Sequence, residues 1–432
     1  MFIQTGTIGI IADDLTGAND TALQFNLSGA NTQILFDYSQ QPEGLLKTQV
    51  WAISTETRNC AKDDAIPVVR GAVKILDEKL NAEYFYKKID STLRGNIGTE
   101  AMTVLNELGW DAAIIVPAFP AEGRTTVGGY HLLNGDPIDR TELARDPKSP
   151  VKESHIPTLL AQQIGSADLV GLIPLKTVTK GAGPILIELQ QLIAQGRKLI
   201  VIDAVSTTDI EQIVLAVEKS TYNILPCGAA AMAKAFSDVW LPDSEYQHIT
   251  KTIPDNPVLV VSGSATSLTR SQIEKVTHSD DFDPYVVELT LETISTQSFD
   301  EILDRIVKQL IKYRLVIVHF SPIENSMDKN IEYAQANDIN PDDIPSIITD
   351  YLARLTKDVA AIQNVILVLV GGETSYKVCS AIGSTNLQVI DEADSAIPLC
   401  LDFNAQWIVT KSGNLGTSST LVNILKYIER HK

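Results

Sequence analysis

The sequence of 432 residues has little cysteine, no long apolar segment and no surplus of basic residues. Its four cysteines are widely spaced and form no Cys-x-x-Cys pair, so we expect buried thiols in a reducing compartment and no disulfide framework. No apolar run approaches the ~20 residues that a membrane-spanning helix requires, and the N-terminal segment has no secretory signal pattern. These features predict a cytoplasmic protein without a membrane partner.

The charge balance narrows the class of ligand. The formal net charge is −19 at pH 7. Nucleic acids and acidic membrane surfaces need a basic face, so this charge argues against both. Small anions need only a local positive site, so the negative net charge does not exclude them as ligands. It does not exclude a homo-oligomer either. We therefore expect small-molecule ligands and no nucleic acid.

Several familiar motifs are missing too. The chain contains no GxxxxGK[ST] loop and no GxGxxG motif, so neither a P-loop nor a standard dinucleotide-binding fold is supported. The HExxH pattern of zinc enzymes and the GxSxG nucleophile elbow are also absent, and no internal repeat is visible. Any site for a nucleotide must therefore be built in another way.

Short apolar runs alternate with longer amphipathic stretches along the whole chain. The runs are rich in Val, Ile and Leu without strict alternation, which is typical of strands buried on both faces. Strands that alternate with helices predict an α/β fold with mainly parallel sheets flanked by helices. The predicted strands are Ile8–Ala12, Val50–Ser54, Ala112–Val116, Leu199–Ile202, Val258–Ser262, Leu315–Phe320 and Val365–Val370.

The length of the chain favours two domains of this kind. The segment from Leu241 to Pro257 holds three prolines among polar residues and is followed at once by a predicted strand, which is typical of a linker. We therefore predict domains at residues 1–245 and 246–432.

The string Lys88–Gly95 is the most informative stretch of the first domain. It follows the aromatic run Tyr84–Tyr86, which reads as a buried strand, so its polar groups fall where a strand ends. Ligands of open α/β sheets bind at that edge. Arg94 can hold a carboxylate in a bidentate fork, and Asp90 can accept hydrogen bonds from hydroxyl groups. The string predicts a pocket for a small hydroxylated anion.

Two further strand ends in the first domain carry polar groups. The first strand leads into Asp13 and Asp14, which could hold sugar hydroxyls, a divalent cation or a proton; the alternative is that Asp14 or Thr16 merely caps a helix. The strand ending at Val116 leads into a loop stiffened by two prolines that contains Arg124. This loop predicts a wall of a pocket, with a plain surface connection as the alternative.

Three glycine- and hydroxyl-rich turns follow predicted strands in the second domain. Exposed N–H groups at such turns and at helix N-termini bind phosphate, and three turns together favour a nucleotide site although each alone is common. The turns are Ser262–Thr266, Gly371–Ser375 and Lys411–Ser419.

Taken together, these strings resemble the four-carbon acid sugar kinase family. The resemblance covers essentially the whole chain and rests on motifs that occur in family order. These are IADDLTGAND (11–20), KIDSTLRG (88–95), VPAFPAEGRTTVGG (116–129), ARDPKSPV (144–151), SGSATSLTR (262–270), GGET (371–374) and KSGNLG (411–416).

The resemblance implies a kinase that phosphorylates threonate, erythronate or 3-oxo-tetronate with ATP and Mg²⁺. It implies that the N-terminal domain binds the acid sugar through Asp13, Asp14, Lys88, Asp90, Ser91, Arg94, Gly95 and Arg124. It implies that the C-terminal domain binds the nucleotide through Ser264, Gly371, Gly372, Glu373, Thr374, Gly413, Asn414 and Gly416. The metal ligands are left unassigned.

Phosphoryl transfer depends mainly on positioning and electrostatics. A carboxylate near the attacking hydroxyl would orient it and accept its proton, and we place Asp14 first in that role and Asp90 second. A non-catalytic regulatory protein that uses the same pockets is the alternative, suggested by Glu373 where relatives more often carry Asp. Nothing indicates the second acceptor site that an ATP-dependent ligase would need.

Overall fold

The computed structural model describes residues 6–36, 48–145, 149–241, 251–320 and 326–432. The chain divides into two compact units. In the described ranges, the first contains residues 6–34 and 48–241, and the second contains Leu35, Phe36 and residues 251–432. The predicted domain boundary at 245/246 and residues 146–148 of the ARDPKSPV motif lie outside the described residues. The boundary stays a prediction.

The first unit contains strands β1 to β11, except for Leu35 at the end of β2, and helices α1 to α8. The strands are β1 Thr7–Ala12, β2 Thr32–Leu35, β3 Val50–Ser54, β4 Ala82–Lys88, β5 Ala112–Val116, β6 Arg124–Val127, β7 Tyr130–Leu133, β8 Asp136–Pro137, β9 Val170–Ile173, β10 Leu199–Ile202 and β11 Ile224–Gly228. The helices are α1 Leu15–Leu27, α2 Lys62–Lys74, α3 Ile97–Leu108, α4 Ile156–Ile164, α5 Leu175–Val178, α6 Ala182–Ala194, α7 Thr207–Glu218 and α8 Ala230–Trp240.

The main sheet of this unit has the strand order β2-β3-β1-β4-β11-β5-β10-β9. Every pairing from β3 to β9 is parallel. The chain passes from β1 to β3 on one side and then to β4 on the other, so the topology reverses at β1. A crevice at the carboxyl ends of the strands is expected at such a point. Strands β6, β7 and β8 form a small antiparallel sheet of their own.

The second unit contains strands β12 to β18 and helices α9 to α15. The strands are β12 Val258–Ser262, β13 Tyr285–Leu289, β14 Leu315–Phe320, β15 Ile366–Val370, β16 Asn386–Asp394, β17 Ile397–Asp402 and β18 Trp407–Lys411. The helices are α9 Ser267–Thr277, α10 Leu291–Thr296, α11 Phe299–Tyr313, α12 Ser326–Ala336, α13 Ile344–Ile362, α14 Gly372–Ala381 and α15 Thr420–Arg430.

The sheet of the second unit has the order β13-β14-β12-β15-β18-β17-β16. Strands β13, β14, β12, β15 and β18 run parallel, and β17 runs antiparallel to both of its neighbours. The parallel strands β12 and β15 have no exposed residue, which agrees with their continuous apolar sequence. The topology reverses at β12, so the turns after β12 and β15 lie side by side.

The predicted α/β fold with two mainly parallel sheets is confirmed, and all seven predicted strands are present with end shifts of one residue at most. Both hydrophobic cores lie between the sheets and their covering helices. Within the described ranges, no helix combines the length and apolar character that crossing a membrane would require.

Candidate functional site

The carboxyl ends of β1, β3 and β4 are neighbours, because β1 pairs with both of the other strands. Asp13 and Asp14 follow β1, Arg58 lies four residues after β3, and Asp90 lies two residues after β4. The fold therefore brings together charged groups from three segments that are distant in the sequence. Three of the four were predicted as site residues, and Arg58 was not.

Arg58 is the centre of this cluster. Its Nε and Nη2 atoms donate to the two carboxylate oxygens of Asp13 at 2.8 and 2.9 Å, in a bidentate fork. Nη2 also donates to Asp14 Oδ1 at 2.7 Å, and it lies 3.9 Å from Asp90 Oδ1. The Arg58 side chain is only 11% exposed, so these pairs form largely out of water. A guanidinium with five donors is suited to hold several carboxylates at once.

The electrostatics of the cluster follow from this arrangement. Burial opposes ionisation of Asp13, yet Arg58 beside it holds the pKa of that carboxyl below its ordinary value. Burial likewise works against the charge of Arg58, but the carboxylates of Asp13 and Asp14 raise its pKa well above the ordinary value. Asp13 and Arg58 are therefore charged together at neutral pH.

Asp14 also begins helix α1. It has extended backbone geometry, and its Oδ1 accepts from the backbone N–H of Gly17 at 2.8 Å, so it is the N-cap. The hydroxyl of Thr16 donates to its Oδ2 at 2.7 Å. Asp14 therefore caps helix α1, and the same carboxylate pairs with Arg58. Its role in a ligand site stays a prediction.

Asp90 forms a compact turn with the residues that follow it. Arg94 donates to Asp90 through Nε at 2.8 Å and through its backbone N–H at 3.2 Å, and the hydroxyl of Thr92 also donates to it. Burial would raise the pKa of Asp90, but Arg94 and Arg58 hold it well below the ordinary value. The sequence alone suggested Arg94 as a free anchor for a ligand carboxylate. Here one side of its guanidinium already binds Asp90.

Two lysines at the end of β4 are buried and point to opposite faces of the sheet, as consecutive strand residues must. Lys87 pairs with the buried Glu100 of α3 at 2.8 Å. Lys88, which was predicted as a site residue, lies 3.7 Å from Asp20 of α1. Burial raises the pKa of Asp20 to about 6, although Lys88 counteracts the shift.

A pocket of about 270 Å³ adjoins the cluster in the first unit. Arg58, Arg94 and Gly95 contribute to one side of it, and residues near α4 contribute to the other. Gly95 has φ +87°, and a Cβ at this position would lie 3.2 Å from Asp13 Oδ2, so glycine suits both the backbone and the space. The other lining residues are Asn59, Cys60, Leu93, Asn96, Ser149, Pro150, Val151, Lys152, Glu153, Leu159, Gln162 and Gln163.

The small sheet of β6 to β8 contacts the same region through His131. The side chain of His131 is fully buried. Its Nδ1 atom is hydrogen-bonded to the hydroxyl of Thr126 at 3.0 Å, and its Nε2 atom is hydrogen-bonded to the backbone oxygen of Ser91 at 2.9 Å. Burial lowers the pKa of His131 to about 4, so the ring is neutral and structural at pH 7. Ser91 was predicted as a site residue, and its backbone is held by this bond.

Arg124 begins β6, where its side chain donates to the backbone oxygen of Glu122 at 3.1 Å. Its Nε is buried and has no hydrogen-bond partner among the described residues. Asp203 fixes the turn that follows β6 by accepting from the N–H groups of Gly128 at 2.6 Å and Gly129 at 2.9 Å. The loop is therefore pinned at its tip. Arg124 is not among the residues that line the pocket beside Arg58, and the role of the loop as a pocket wall stays a prediction.

The three predicted glycine turns of the second unit converge. The hydroxyl groups of Thr266 and Thr269 donate to the backbone oxygen of Gly413 at 2.9 and 3.0 Å, and a Cβ added to Gly413 would collide with the hydroxyl of Ser264. Gly371 has φ +113° and precedes helix α14, whose first residue is Gly372. The N-termini of α9 and α14 and the turn at Gly413 thus surround one place, which favours an anion.

Lys411, which precedes the third turn, is 1% exposed and donates to the backbone oxygen of Ser412 at 2.7 Å. Burial lowers its pKa to about 7. Glu373 accepts from the hydroxyl of Thr349 at 3.4 Å and lies 3.5 Å from Lys377. Thr374 is buried in the first turn of α14, whereas Asn414 and Gly416 continue the turn after Gly413.

Among the described residues, no group of three or more His, Cys, Asp or Glu side chains could hold a metal ion. Mg²⁺ needs no such cage when it arrives with a nucleotide, because one or two carboxylates and the substrate phosphates suffice. Glu373 lies within the predicted phosphate-binding turn Gly371–Ser375 and is the carboxylate of the three turns that could fit this role.

Three charged residues of the first unit were not identified from the sequence. They are Arg58, Glu56 and Asp20, and the last of these has a raised pKa. Arg58 and Glu56 follow the predicted strand Val50–Ser54, so the rule that polar groups cluster at strand ends could have found them. Their segment carries no glycine, and Glu56 instead adopts φ +53°. That conformation is uncommon for a residue with a side chain.

Glu56 gives a testable dependence of stability on pH. Burial, reinforced by Asp14, raises its pKa to about 8, so the folded state keeps a proton that the unfolded state releases above about pH 4.5. The contribution of Glu56 to stability is thus present at low pH and is lost as the pH rises to about 8. Glu56→Gln, which cannot ionise, is expected to unfold at a higher temperature than the wild type at pH 8 and at a similar one at pH 5. Equal melting temperatures at pH 8 would contradict this.

Comparisons with known proteins match both units. Residues 8–236 match the family described as "Sugar-binding N-terminal domain", and residues 259–421 match the family described as "Nucleotide-binding C-terminal domain". The first match covers the cluster around Arg58, and the second covers the three converging turns. These descriptions agree with the chemistry that each unit presents.

Curated relatives cover almost the whole chain. A D-threonate kinase of Salmonella typhimurium is 31% identical over 97% of this chain and 98% of its own length. A D-erythronate kinase of Heliobacterium modesticaldum is also 31% identical, over 97% of this chain and 96% of its own. More distant relatives are named 3-oxo-tetronate kinase. A solved structure from Salmonella typhimurium has the same fold, with a TM-score of 0.81 at 22% identity, covering 96% of this chain and 98% of that one.

Proposed function

Because the chain belongs to the four-carbon acid sugar kinase family, we propose that it transfers a phosphoryl group from ATP to a hydroxyl group of threonate, erythronate or 3-oxo-tetronate. The observation that carries this proposal is that kinases of these acids match both units along nearly their full length. The chain is a phosphotransferase with an alcohol group as its acceptor. The choice among the three acids depends on stereochemistry at two carbons, or on a ketone at one.

The first unit supports the acid-sugar half of the reaction. Its pocket is lined by Arg58 and Arg94, and at 270 Å³ it suits a molecule smaller than a typical drug-sized ligand, which needs roughly 300 Å³ or more. The pocket has more polar than apolar lining, as a hydroxylated anion requires. We assign the ligand carboxylate to the cations that line the pocket, with Arg94 first and Lys152 or Arg58 as the second cation.

The second unit supports the nucleotide half. The N–H groups of the turns at Gly263, Gly372 and Gly413 would bind phosphate oxygens, and the N-termini of α9 and α14 would favour their negative charge. When Mg²⁺ is bound with the nucleotide, it neutralises charge on the phosphates, and Glu373 would hold it. The buried ammonium group of Lys411 lies directly before this anion site. A phosphate there would favour its protonated form.

The proton of the attacking hydroxyl needs an acceptor. Arg94 and Arg58 lower the pKa of Asp90, and a carboxylate of low pKa is a weak base. Asp14 keeps the first position that the sequence analysis gave it, and its orientation is fixed by the Arg58 guanidinium and by the helix cap. Asp13 would keep Arg58 in place through the bidentate fork.

The test is an ADP-release assay with Mg-ATP and a panel of both enantiomers of threonate and erythronate, and 3-oxo-tetronate. We expect one acid to be phosphorylated with a kcat/KM at least about tenfold above the others, since a missing hydroxyl contact costs a site of this kind a large factor. Glycerate and tartrate serve as controls of shorter length and of extra charge. Binding of an acid and ATP without ADP release would instead indicate the regulatory alternative.

A further inference from the structure

A buried polar network lies next to the charged cluster of the first unit. Its centre is Glu100, in the first turn of helix α3, whose side chain is only 2% exposed. One carboxylate oxygen, Oε2, lies 2.8 Å from the ammonium group of Lys87, whose side chain is 1% exposed. The other oxygen, Oε1, accepts from the hydroxyl of Thr57 at 2.8 Å. None of these three residues lines the pocket beside Arg58.

The hydrogen bonds of Thr57 connect this network to the end of β1. The hydroxyl of Thr57 has a single proton, which it donates to Glu100, so towards Thr55 it can only accept. The two threonine hydroxyl oxygens are 2.7 Å apart. The backbone nitrogen and the hydroxyl oxygen of Thr55 both lie 2.9 Å from the backbone oxygen of Ala12. Ala12 directly precedes Asp13, so the network reaches from α3 to the carboxylates of the cluster.

The beginning of α3 also holds the segment that carries Arg58. Asn96, the residue before α3, donates through Nδ2 to the backbone oxygen of Thr57 at 3.2 Å and to that of Cys60 at 2.9 Å. Together with the bond from the Thr57 hydroxyl to Glu100, three hydrogen bonds therefore join this segment to α3. They fix the backbone on both sides of Arg58, independently of the ion pairs that its side chain forms.

We propose that Glu100 is a positioning residue of the acid-sugar site, and that it holds the Arg58 guanidinium in place through the hydroxyl of Thr57. Glu100 contacts no ligand in this role, and Lys87 supplies its counter-charge. The proposal rests on the proposed function, because it takes the pocket beside Arg58 as the place where the acid sugar binds.

Stability alone does not explain why an ion pair is buried at this point. The transfer of two charges out of water opposes their mutual attraction, and apolar side chains of similar volume are often as stable or more stable. A carboxylate provides what an apolar side chain cannot, which is an acceptor for the hydroxyl of Thr57. Lys87 in addition donates to the backbone oxygen of Lys88 at 2.8 Å, so the pair also fixes the end of β4.

The position of Arg58 matters because its side chain lines the pocket and also contacts the carboxylates of Asp13 and Asp14. If Thr57 lost its bond to α3, the backbone beside Arg58 could shift and move the guanidinium with it. A displacement of about 1 Å can cost about 10²-fold in rate even when the mutation lies far from the chemistry. We therefore expect the binding of the acid sugar to depend on Glu100, although this residue lies outside the pocket.

Thr57→Val tests the link to Arg58 and leaves the ion pair intact. Valine has a similar shape but no hydroxyl, so we expect the KM for the tetronate with the highest kcat/KM to rise about tenfold, whereas the KM for ATP should change by less than about twofold. Thr57→Ser keeps the hydroxyl and should have the KM of the wild type. Thr103→Val is the matched control, because the hydroxyl of Thr103 is buried within α3 and donates to the backbone oxygen of Thr99 at 2.8 Å.

The double variant Lys87→Met/Glu100→Leu separates positioning from stability. It replaces the buried pair by apolar side chains of similar volume, so its melting temperature should stay close to that of the wild type. Its KM for the tetronate should still rise about tenfold, because Thr57 has lost its acceptor. A pair that serves stability alone predicts the KM of the wild type in this variant. That result, or the KM of the wild type in Thr57→Val, would overturn the proposal. If the double variant does not fold, Thr57→Val decides alone.

Amide hydrogen exchange of the ligand-free proteins separates this proposal from the proposed kinase function. The backbone N–H of Arg58 donates to the backbone oxygen of Asp13 at 3.2 Å, and in Thr57→Val it should exchange about tenfold faster. In Thr103→Val its exchange should not change. If exchange becomes faster but no tetronate is phosphorylated, the positioning role stands and the function fails. If a tetronate is phosphorylated while exchange and KM stay unchanged in Thr57→Val, the function stands and the positioning role is wrong.

Discussion

Asp14→Asn is expected to lower kcat for the sugar acid by about 10²- to 10⁴-fold, the range for removal of a general base. The variant should keep its fold, because asparagine caps helices as well as aspartate does and its Oδ1 can still accept from Gly17. Arg58 keeps its bidentate contact with Asp13. The KM for the sugar acid should therefore change by less than about tenfold, because only the transition state loses a proton acceptor.

Steady-state rates of ADP release with the sugar acid, measured for both proteins at a pH where both are folded, give the decisive measurement. Asp77→Asn, at an exposed position of the helical segment that follows α2, controls for the removal of one negative charge. Near-normal turnover in Asp14→Asn would remove Asp14 from this role and direct attention to Asp90.

Arg58→Met is expected to cost about 3–5 kcal/mol of the free energy of unfolding at pH 7, because it leaves buried carboxylates without their cation. The predicted effect is large since the Arg58 side chain is 11% exposed and contacts both Asp13 and Asp14. Activity should be lost as well, since the two carboxylates would no longer be held in fixed positions. Urea denaturation monitored by fluorescence and circular dichroism gives the comparison.

The pH dependence of the free energy of unfolding tests whether the lost ion pairs cause the destabilisation of Arg58→Met. Asp13 and Asp90 have lowered pKa values in the folded state, so the stability they contribute is present above about pH 4 and is lost as the pH falls through their folded values. The difference in the free energy of unfolding between the wild type and Arg58→Met should therefore become smaller as the pH falls. Arg70→Met is the matched control, because Arg70 is 49% exposed in its pair with Glu107. Such surface pairs contribute about 0–1 kcal/mol. An equal loss in both variants would contradict a special role for Arg58.

The sequence predicted the fold well because the relevant signals are local. Buried parallel strands read as continuous apolar runs, and the polar residues that follow them mark the ligand edge of a sheet. Asp13, Asp14 and Asp90 were found in this way, and so were the turns at Gly371 and Gly413. The role of each turn depended on the resemblance to a family, because glycine-serine turns are common in proteins of every function.

The rest of the site depends on contacts between distant segments. The partners of Arg58 become visible only when β1 and β3 are known to be adjacent, because they lie 44 and 45 residues away in the sequence. The position of Arg94 was predicted, but its bidentate contact with Asp90 was not, since a sequence does not show which partner a guanidinium chooses. Ser262, His319 and Glu288 lie side by side on three neighbouring strands, and their proximity becomes visible only from the strand order.

The two lysines that end β4 have a consequence for folding. Lys87 meets Glu100 on one face of the sheet and Lys88 meets Asp20 on the other. A slip of β4 by one residue in one direction would place Ile89 opposite Asp20, and a slip in the other would place Tyr86 opposite Glu100. Either shift of register leaves one of these two carboxylates without its cation. Both misaligned pairings of β4 are therefore unfavourable. The adjacent positive charges thus act as an alignment check that selects the native pairing of the central strand.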